Sequence, residues 1–168
     1  MTPAVLLLGA VTAERAAELW WDHRNTEALL ARGAREFAPR HYPAIVLLHM
    51  FWLVSLWLFG WTHPLNTIWL AFFLTLQALR AWILITLKNR WTTRIIVLPG
   101  ASLVASGPYR FLSHPNYLVV VAEIAVLPLC LGLPWLAAAF TAANAVILGI
   151  RVRAENAALM SSRHAKRA

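Results

Sequence analysis

The sequence predicts an all-α integral membrane protein, a bundle of about five transmembrane helices that forms a single domain over residues 1–168. Composition is the first observation behind this prediction: 60% of the residues are hydrophobic and only 13% are charged, against about 25% in soluble domains. The second is that the apolar residues are gathered in long segments, where helices satisfy the backbone hydrogen bonds within a bilayer. The third is that the basic residues fall in alternate connections between those segments.

Five apolar segments follow one another along the chain, at residues 3–21, 44–61, 65–87, 117–133 and 134–150. The first is interrupted by Glu14, Arg15 and Glu18, so we expect it to be tilted or partly interfacial. The last two are separated only by the tight break Gly132-Leu-Pro134, which predicts a C-terminal helical hairpin.

Lysine and arginine gather in three parts of the chain: residues 22–43, residues 88–116 and the tail at residues 151–168. The short connections near His63 and Gly132 contain neither. Basic connections remain in the cytoplasm, so this pattern predicts a cytoplasmic C-terminus and an external N-terminus. The net charge of +8 then follows from the topology and needs no nucleic acid as a partner.

The chain lacks the motifs of several well-known sites. Its single cysteine, Cys130, lies within an apolar segment, so neither an intramolecular disulfide nor a CxxC metal site is expected. GxGxxG, Walker, HExxH and GxSxG motifs are absent as well. The sequence therefore predicts no bound metal and no soluble nucleotide-binding fold.

The connection at residues 88–116 is expected to form an ordered flap at the cytoplasmic face, the alternative being a plain linker. Arg94-Ile-Ile-Val-Leu98 is β-branched and typical of a strand. Pro99-Gly100 is a type II turn pair. Leu103-Val-Ala105 is expected to pair back on that strand and to complete a hairpin.

Polar residues are concentrated in Ser106-Gly-Pro-Tyr-Arg-Phe-Leu-Ser-His-Pro-Asn-Tyr117, at the edge of an apolar segment. Polar groups there are costly unless they bind something. His114 is biased away from helical angles by Pro115, which suits the first turn of a helix. The free N–H groups and the dipole at such a helix start favour a carboxylate. The alternative is an ordinary helix start with an interfacial tyrosine.

A second polar cluster, Arg151-Val-Arg-Ala-Glu155, follows the fifth apolar segment. Arg151 and Glu155 are four residues apart and therefore share one helix face. Alone, they would be an ordinary surface ion pair. Opposite the start of the fourth helix, Glu155 suits an ammonium group while the helix terminus suits a carboxylate. The two clusters together predict a site for a zwitterionic ligand.

Glu123 and His49 are among the polar residues that lie within the apolar segments. A carboxylate at Glu123 is costly in a bilayer, so we expect it to face the bundle. It is either a structural contact or part of a substrate pocket, and its candidate partners are Arg80, Gln77 and Asn144. His49 is interpreted as a hydrogen-bonded histidine of the bundle rather than as a catalytic base.

The motifs Leu103-Val-x-Ser-Gly-Pro-Tyr-Arg-Phe-x-x-His-Pro-Asn-Tyr117 and Arg151-x-x-x-Glu155 resemble the isoprenylcysteine carboxyl methyltransferase family. Upstream, Glu36-Phe-x-x-x-His41-Tyr-Pro and Arg90-Trp-Thr-Thr-Arg-Ile-Ile-Val-Leu-Pro-Gly100 resemble its small bacterial branch, often found beside type III polyketide synthases. The resemblance implies a membrane enzyme that uses S-adenosylmethionine, located in the inner membrane of a bacterium. It also implies that Arg151 contacts the substrate. The positions that it implies for cofactor contacts are Arg94, Ala101, Ser102, Leu103, Val104, Tyr109, His114, Pro115, Asn116, Tyr117 and Glu155.

The expected activity is O-methyl transfer to a lipophilic acceptor that arrives from the membrane lipid, with S-adenosylhomocysteine as the second product. A carboxylate acceptor, as in an isoprenylcysteine, needs only positioning by Arg151. A long-chain phenol or enol must also lose a proton, to His114 or to solvent. Two functions of other classes stay open: an NADPH-dependent membrane reductase of the related sterol reductase superfamily, and a non-enzymatic lipid-binding membrane protein.

Overall fold

The computed structural model describes residues 2–37, 39 and 42–164, with the side chains of the last helix described as far as Glu155. His41 and the chain end at residues 165–168, both part of the sequence predictions, lie outside the described residues. The described part of the chain contains five α-helices and two short strands. These are α1 Pro3–Ala31, β1 Arg35–Phe37, α2 Tyr42–Gly60, α3 Thr67–Leu87, β2 Ile95–Val97, α4 Pro115–Cys130 and α5 Pro134–His164, with 3-10 turns at Lys88–Arg90 and Gly107–Arg110.

Three of the helices are long and apolar enough to cross a membrane, which makes the chain a helical membrane protein. The spans are Tyr42–Gly60, Thr67–Arg90 and Pro134–Glu155. α4 is apolar but has only 16 residues. That corresponds to about 24 Å, less than the roughly 30 Å thickness of a hydrocarbon core.

The first helix is longer than the sequence predicted. It begins at Pro3, where the Thr2 hydroxyl accepts a hydrogen bond from the backbone N of Val5 at 3.3 Å, and it ends only at Ala31. No glycine or proline interrupts its last ten residues, and Gly33 with φ +85° follows its end. Its buried residues recur at intervals of mostly three, four and seven, as one helix face requires: Ala4, Leu8, Val11, Glu18, Asp22, Asn25, Thr26 and Leu29.

The apolar core lies toward the end of the bundle at which α4 turns into α5, which we call the hairpin end. Leu8 of α1, Leu56 of α2 and Leu127 of α4 are fully buried there. Trp52 ties α2 to α4, since its Nε1 donates to the carbonyl oxygen of Ile124 at 3.3 Å. Within a bilayer such close packing, rather than removal from water, holds helices together.

The predicted C-terminal helical hairpin is present. Gly132 has φ +68°, in the left-handed region that glycine enters at little cost. The backbone N of Leu133 donates to the carbonyl oxygen of Pro128 at 2.9 Å, which closes the end of α4. α5 then begins at Pro134 and continues without a break past Arg151.

The predicted hairpin within residues 94–105 is wrong. β2 pairs antiparallel with β1, with Arg35 opposite Val97, whereas residues 103–105 form no strand. The type II turn at Pro99-Gly100 is present, because Gly100 has φ +76° and the backbone N of Ala101 donates to the carbonyl oxygen of Leu98 at 3.2 Å. The turn therefore ends β2, but the residues that follow it do not pair with β2.

The strand finds its partner in the connection between α1 and α2. The Arg94 guanidinium lies 3.3 Å from a Glu36 carboxylate oxygen and 4.8 Å from the centre of the Tyr42 ring. The two strands, the start of α4 and the last described turns of α5 meet at one end of the bundle, where α5 packs against both strands. We call this the sheet end.

Candidate functional site

The start of α4 has the geometry that the sequence predicts. His114 is the N-cap residue, with φ −135°, and Pro115 is the first helical residue. The His114 side chain makes no capping hydrogen bond. Its ring instead stacks on Tyr117, with ring centres 5.2 Å apart and an angle of 17° between the planes.

Tyr117 connects α4 to α5. Its hydroxyl donates a hydrogen bond to the Glu155 carboxylate and accepts one from Arg151 Nε at 2.8 Å. The Arg151 guanidinium carbon lies 5.4 Å from the centre of the Tyr117 ring, a distance at which a cation and an aromatic face attract each other. Arg151 and Glu155 share a helix face as expected, but the tyrosine hydroxyl stands between them in place of a direct ion pair.

Two more residues of the sequence motif approach Glu155. His114 Nδ1 lies 4.0 Å from a Glu155 carboxylate oxygen. Burial, and then the negative charge of Glu155, raise the pKa of Tyr109 to about 12, so its hydroxyl remains a proton donor at neutral pH. We call His114, Tyr117, Arg151 and Glu155 the tyrosine cluster.

Several predicted cofactor positions do not join this cluster. Among the described residues, Arg94 forms its ion pair with Glu36 and has no hydrogen bond or ion pair to Glu155. Residues 101–103 are exposed and Val104 is half-buried. The carbonyl oxygen of Ser102 accepts a hydrogen bond from Arg90 at 2.7 Å, which holds this segment to the turn after α3. Their proposed roles stay predictions.

A cavity of about 240 Å³ extends from the tyrosine cluster into the bundle. Arg151 and Tyr117 lie at its border, and Asn116 joins them from the first turn of α4. One face of α2 forms a wall with Tyr42, Ile45, Val46, His49, Met50 and Leu53, and one face of α5 forms another with Asn144, Ile147 and Leu148. The lining is mostly apolar, with a few polar groups, as is usual for sites of small organic ligands.

A buried group of charges from α1, α3 and α4 borders the same cavity. We call Arg15, Glu18, Gln77, Arg80 and Glu123 the ionic cluster. Arg80 donates to Glu123 at 2.7 Å and binds Glu18 through two nitrogens, one of them at 2.6 Å. The predicted partners Arg80 and Gln77 do contact Glu123, the latter at 3.0 Å, whereas Asn144 has no hydrogen bond to it.

Sequence reasoning missed that α1 contributes to this cluster. Arg15 donates to Glu18 at 2.9 Å and to Glu123 at 3.1 Å, which neutralises charge inside the bundle. The spacing of the charged residues could have indicated this contribution. Arg15, Glu18 and Asp22 are three and four residues apart, so they share one face of a helix. A charged stripe of that kind within an apolar protein indicates a face turned toward other helices.

Four buried polar atoms on residues that line the cavity have no hydrogen-bond partner within the described part of the chain. They are Asn116 Oδ1, Asn144 Nδ2, Arg15 Nε and Trp91 Nε1. Asn144 as a whole is only 4% exposed. Buried polar atoms are nearly always paired, so these atoms mark places where a polar group of a ligand can bind.

Comparison with known proteins gives matches over most of the chain. The family model described as "Isoprenylcysteine carboxyl methyltransferase (ICMT) family" matches residues 69–161. The uncharacterized protein YpbQ of Bacillus subtilis is 38% identical over 160 residues, which cover 92% of this chain and 95% of that protein. An uncharacterized protein of Haemophilus influenzae is 24% identical over 142 residues, 81% of this chain and 83% of that one. No solved structure matches the chain significantly.

Proposed function

Because the chain belongs to the isoprenylcysteine carboxyl methyltransferase family, and is therefore a membrane methyltransferase, we propose that it methylates an oxygen of a lipophilic acceptor at the membrane face with S-adenosylmethionine as the donor. The observation that carries the proposal is the tyrosine cluster, in which an arginine and a carboxylate meet at the start of α4 and at the mouth of an apolar cavity. An anionic and a cationic group side by side suit a zwitterionic ligand.

S-adenosylmethionine fits the residues at the sheet end. Glu155 has one oxygen, Oε1, without a hydrogen-bond donor among the described residues, and it would receive the ammonium group. The start of α4, with its dipole, would receive the carboxylate. Asn116 Oδ1, buried without a partner among the described residues, is an acceptor for a further N–H or O–H of the ligand. When bound, the cofactor supplies a methyl group on a positively charged sulfur.

Arg151 is the residue that we propose to orient the acceptor oxygen. Its Nε is occupied by Tyr117, whereas the described residues provide no hydrogen-bond partner for its two Nη groups. The side chain lines the cavity and is 9% exposed, so the guanidinium is held in place. A fixed guanidinium binds a carboxylate or a developing oxyanion through parallel hydrogen bonds.

The acceptor would reach Arg151 from the lipid. Leu19 of α1 and Met50 of α2 line the cavity and are 50% and 54% exposed. On this basis we propose that the cavity opens toward the lipid between these two helices. A volume of about 240 Å³ accommodates a polar head group, while a long apolar tail can remain in the bilayer.

We further propose that α1 and α4 are embedded together with the three long spans, and that the sheet end faces the cytoplasm in a bacterial inner membrane. The basis is the gathering of lysine and arginine in the connections at this end. Cysteine accessibility in intact cells tests the orientation. Ser162→Cys is expected to resist a membrane-impermeant label that modifies His63→Cys, and the reverse pattern would contradict it.

The activity is tested on the purified protein in two assays. Calorimetry is expected to detect binding of S-adenosylhomocysteine and no binding of NADPH. Labelled methyl groups are then expected to reach at least one member of a panel that contains a farnesylcysteine analogue, an alkylresorcinol and an alkylpyrone. Binding of NADPH alone would indicate a reductase, and binding of neither would indicate a non-enzymatic protein.

A further inference from the structure

His49 on α2 and Arg151 on α5 both line the cavity. His49 is on the face of α2 that also carries Ile45, Met50 and Leu53, all of which line the cavity. α2 begins at the sheet end and α5 reaches that end with Arg151, so the two helices run in opposite directions. Side chains lean toward the N-terminus of their own helix. Helix geometry therefore directs the Arg151 side chain into the bundle and the His49 side chain toward the sheet end, where its ring contacts the Ile45 carbonyl oxygen.

The hydrogen bond of His49 fixes the state of its ring. Nδ1 lies 2.8 Å from the carbonyl oxygen of Ile45, one helical turn earlier. A carbonyl oxygen only accepts, so Nδ1 carries the proton. The remaining nitrogen, Nε2, has no hydrogen-bond partner among the described residues. In the neutral ring this nitrogen has a free lone pair and accepts a proton.

The other proton-accepting groups that line the cavity are already occupied, and His114 and Glu155 lie outside its lining. Both oxygens of Glu18 accept hydrogen bonds from arginine, one from Arg80 alone and the other from Arg80 and Arg15. Glu123, in the same cluster, accepts from Arg80, Arg15 and Gln77. The Tyr42 hydroxyl is paired with Thr93 at 3.0 Å. The remaining charged groups that line the cavity, Arg15, Arg80 and Arg151, are all cationic and accept no proton.

We propose that His49 is the general base of the methyl transfer, and that the acceptor is accordingly a long-chain phenol or enol rather than a carboxylate. The inference rests on the proposed methyltransferase activity and names its acceptor class. A carboxylate is already ionised and would not need a base beside Arg151. A neutral hydroxyl also enters a mostly apolar cavity at a smaller desolvation cost than a charged carboxylate does.

Methyl transfer to a neutral hydroxyl releases a proton, and in the proposed reaction His49 accepts it. A bond forms between the acceptor oxygen and the methyl carbon, and the carbon–sulfur bond of S-adenosylmethionine breaks with its electron pair staying on sulfur. The hydroxyl proton moves to His49 Nε2, directly or through one water molecule. Arg151 stabilises the charge that develops on the oxygen. The imidazolium returns its proton to solvent after the product leaves.

Asn144 provides a separate place in the cavity where an oxygen of the acceptor can bind. It lies seven residues before Arg151 on the same face of α5, two turns deeper in the bundle. Its buried Nδ2 donor has no partner in the described part of the chain. A second oxygen on the acceptor ring, as in an alkylresorcinol or alkylpyrone, would satisfy it.

The test compares acceptors of different acidity. His49→Gln retains a donor for the Ile45 carbonyl but does not act as a base. On an alkylresorcinol it is expected to lower kcat by about 10²–10⁴-fold, the usual contribution of a general base. On a long-chain nitrophenol that is already ionised at the assay pH, the loss is expected to shrink to less than about tenfold. Equal losses on both acceptors, or no loss on either, would overturn the proposal.

The matched control is Ser55→Ala, which removes a bond of the same kind on the same helix. Ser55 Oγ donates to the carbonyl oxygen of Phe51 at 2.7 Å, and it does not line the cavity. This variant is expected to methylate both acceptors at the wild-type rate. Binding of S-adenosylhomocysteine by His49→Gln at wild-type affinity shows that this variant is folded.

A second readout needs no methyl donor. The absorbance of a bound long-chain nitrophenol reports how much of it is ionised. The wild type is expected to hold about ten times more phenolate relative to phenol than His49→Gln at the same pH, equivalent to one unit in the apparent pKa of the bound phenol. An identical titration in the two proteins would contradict proton transfer to His49.

Failure of this inference is distinct from failure of the proposed function. A wild-type protein that methylates the farnesylcysteine analogue and no phenol or enol would overturn the acceptor class and the base, and would leave the methyltransferase activity standing. A wild-type protein that binds no S-adenosylhomocysteine would overturn the activity, and the inference with it.

Discussion

The ionic cluster and the tyrosine cluster border the same cavity, but they differ in how completely their polar groups are paired. In the ionic cluster, every oxygen of Glu18 and Glu123 accepts a hydrogen bond, and all three nitrogens of the Arg80 guanidinium donate one. Its exception among the described residues is Arg15 Nε, which is buried without a partner. In the tyrosine cluster, by contrast, the two Nη groups of Arg151 and one oxygen of Glu155 have no partner within the described chain.

The difference indicates two roles for charge in one membrane protein. A charge group in which nearly every donor and acceptor is paired needs no ligand, and its function is to hold α1, α3 and α4 together. A charge group with unused donors and acceptors at the mouth of a cavity is arranged for a ligand. Loss of a charge from the ionic cluster should therefore lower the stability of the bundle, whereas loss of one from the tyrosine cluster should weaken ligand binding or turnover.

The largest effect is expected from Arg80→Ala. The variant leaves Glu18 and Glu123 buried with less than their full complement of donors, so the free energy of unfolding should fall by about 3–5 kcal/mol. Thermal unfolding in detergent measures it. The matched control is Arg94→Ala, which breaks an arginine–glutamate pair whose arginine side chain is 39% exposed. That loss should be under about 1 kcal/mol, and equal losses would contradict a special role for the buried pairs.

The next effect is on ligand binding. Glu155→Gln keeps an acceptor for the Tyr117 hydroxyl and removes the negative charge, so S-adenosylhomocysteine should bind more weakly by about 1.5–3 kcal/mol. Calorimetry measures the change. Glu36→Gln alters a carboxylate at the same end of the bundle and should leave the affinity as it is. If Glu155→Gln binds as well as the wild type, Glu155 does not receive the ammonium group.

Smaller effects on stability are expected from two glycines in the connection between α3 and α4. Gly107 has φ +57°, and a Cβ added there would clash with Thr86 Oγ1 on α3. Gly107→Ala should therefore lower stability by about 1–3 kcal/mol through the clash, and loosen the segment that leads to His114. Gly100 also has a positive φ, of +76°, but a Cβ added there would meet no atom within 4 Å. Gly100→Ala should therefore lower the free energy of unfolding by about 1 kcal/mol. Equal losses would show that the close approach to α3 does not matter.

Much of the candidate site could be predicted because its signals are local. The His-Pro pair fixes the start of α4, and the four-residue spacing of Arg151 and Glu155 fixes their common face. A buried carboxylate at Glu123 requires a partner, and two of its three candidate partners, Arg80 and Gln77 on α3, are observed. Each of these arguments needs only a short stretch of sequence or a single physical rule.

The remaining features depend on contacts between distant parts of the chain. Ile95–Val97 could be recognised as a strand, but nothing near it identifies Arg35–Phe37 as its partner, so the hairpin prediction was wrong. The interposition of Tyr117 between Arg151 and Glu155 depends on how closely α4 approaches α5. The sequence interpretation of His49 as a histidine without a catalytic role could be revised only once the cavity beside it and the pairing of the neighbouring carboxylates were known.

The central claim is that the tyrosine cluster is a methyl-transfer site, and two arginines of α5 test it most directly. Arg151 lines the cavity and binds Tyr117, whereas Arg153 lies two residues further on the same helix and is exposed. Labelled methyl transfer to the lipophilic panel should fall by about 10²–10³-fold or more in Arg151→Ala, with S-adenosylhomocysteine still bound, and should be unchanged in Arg153→Ala. Normal turnover by Arg151→Ala would contradict the claim.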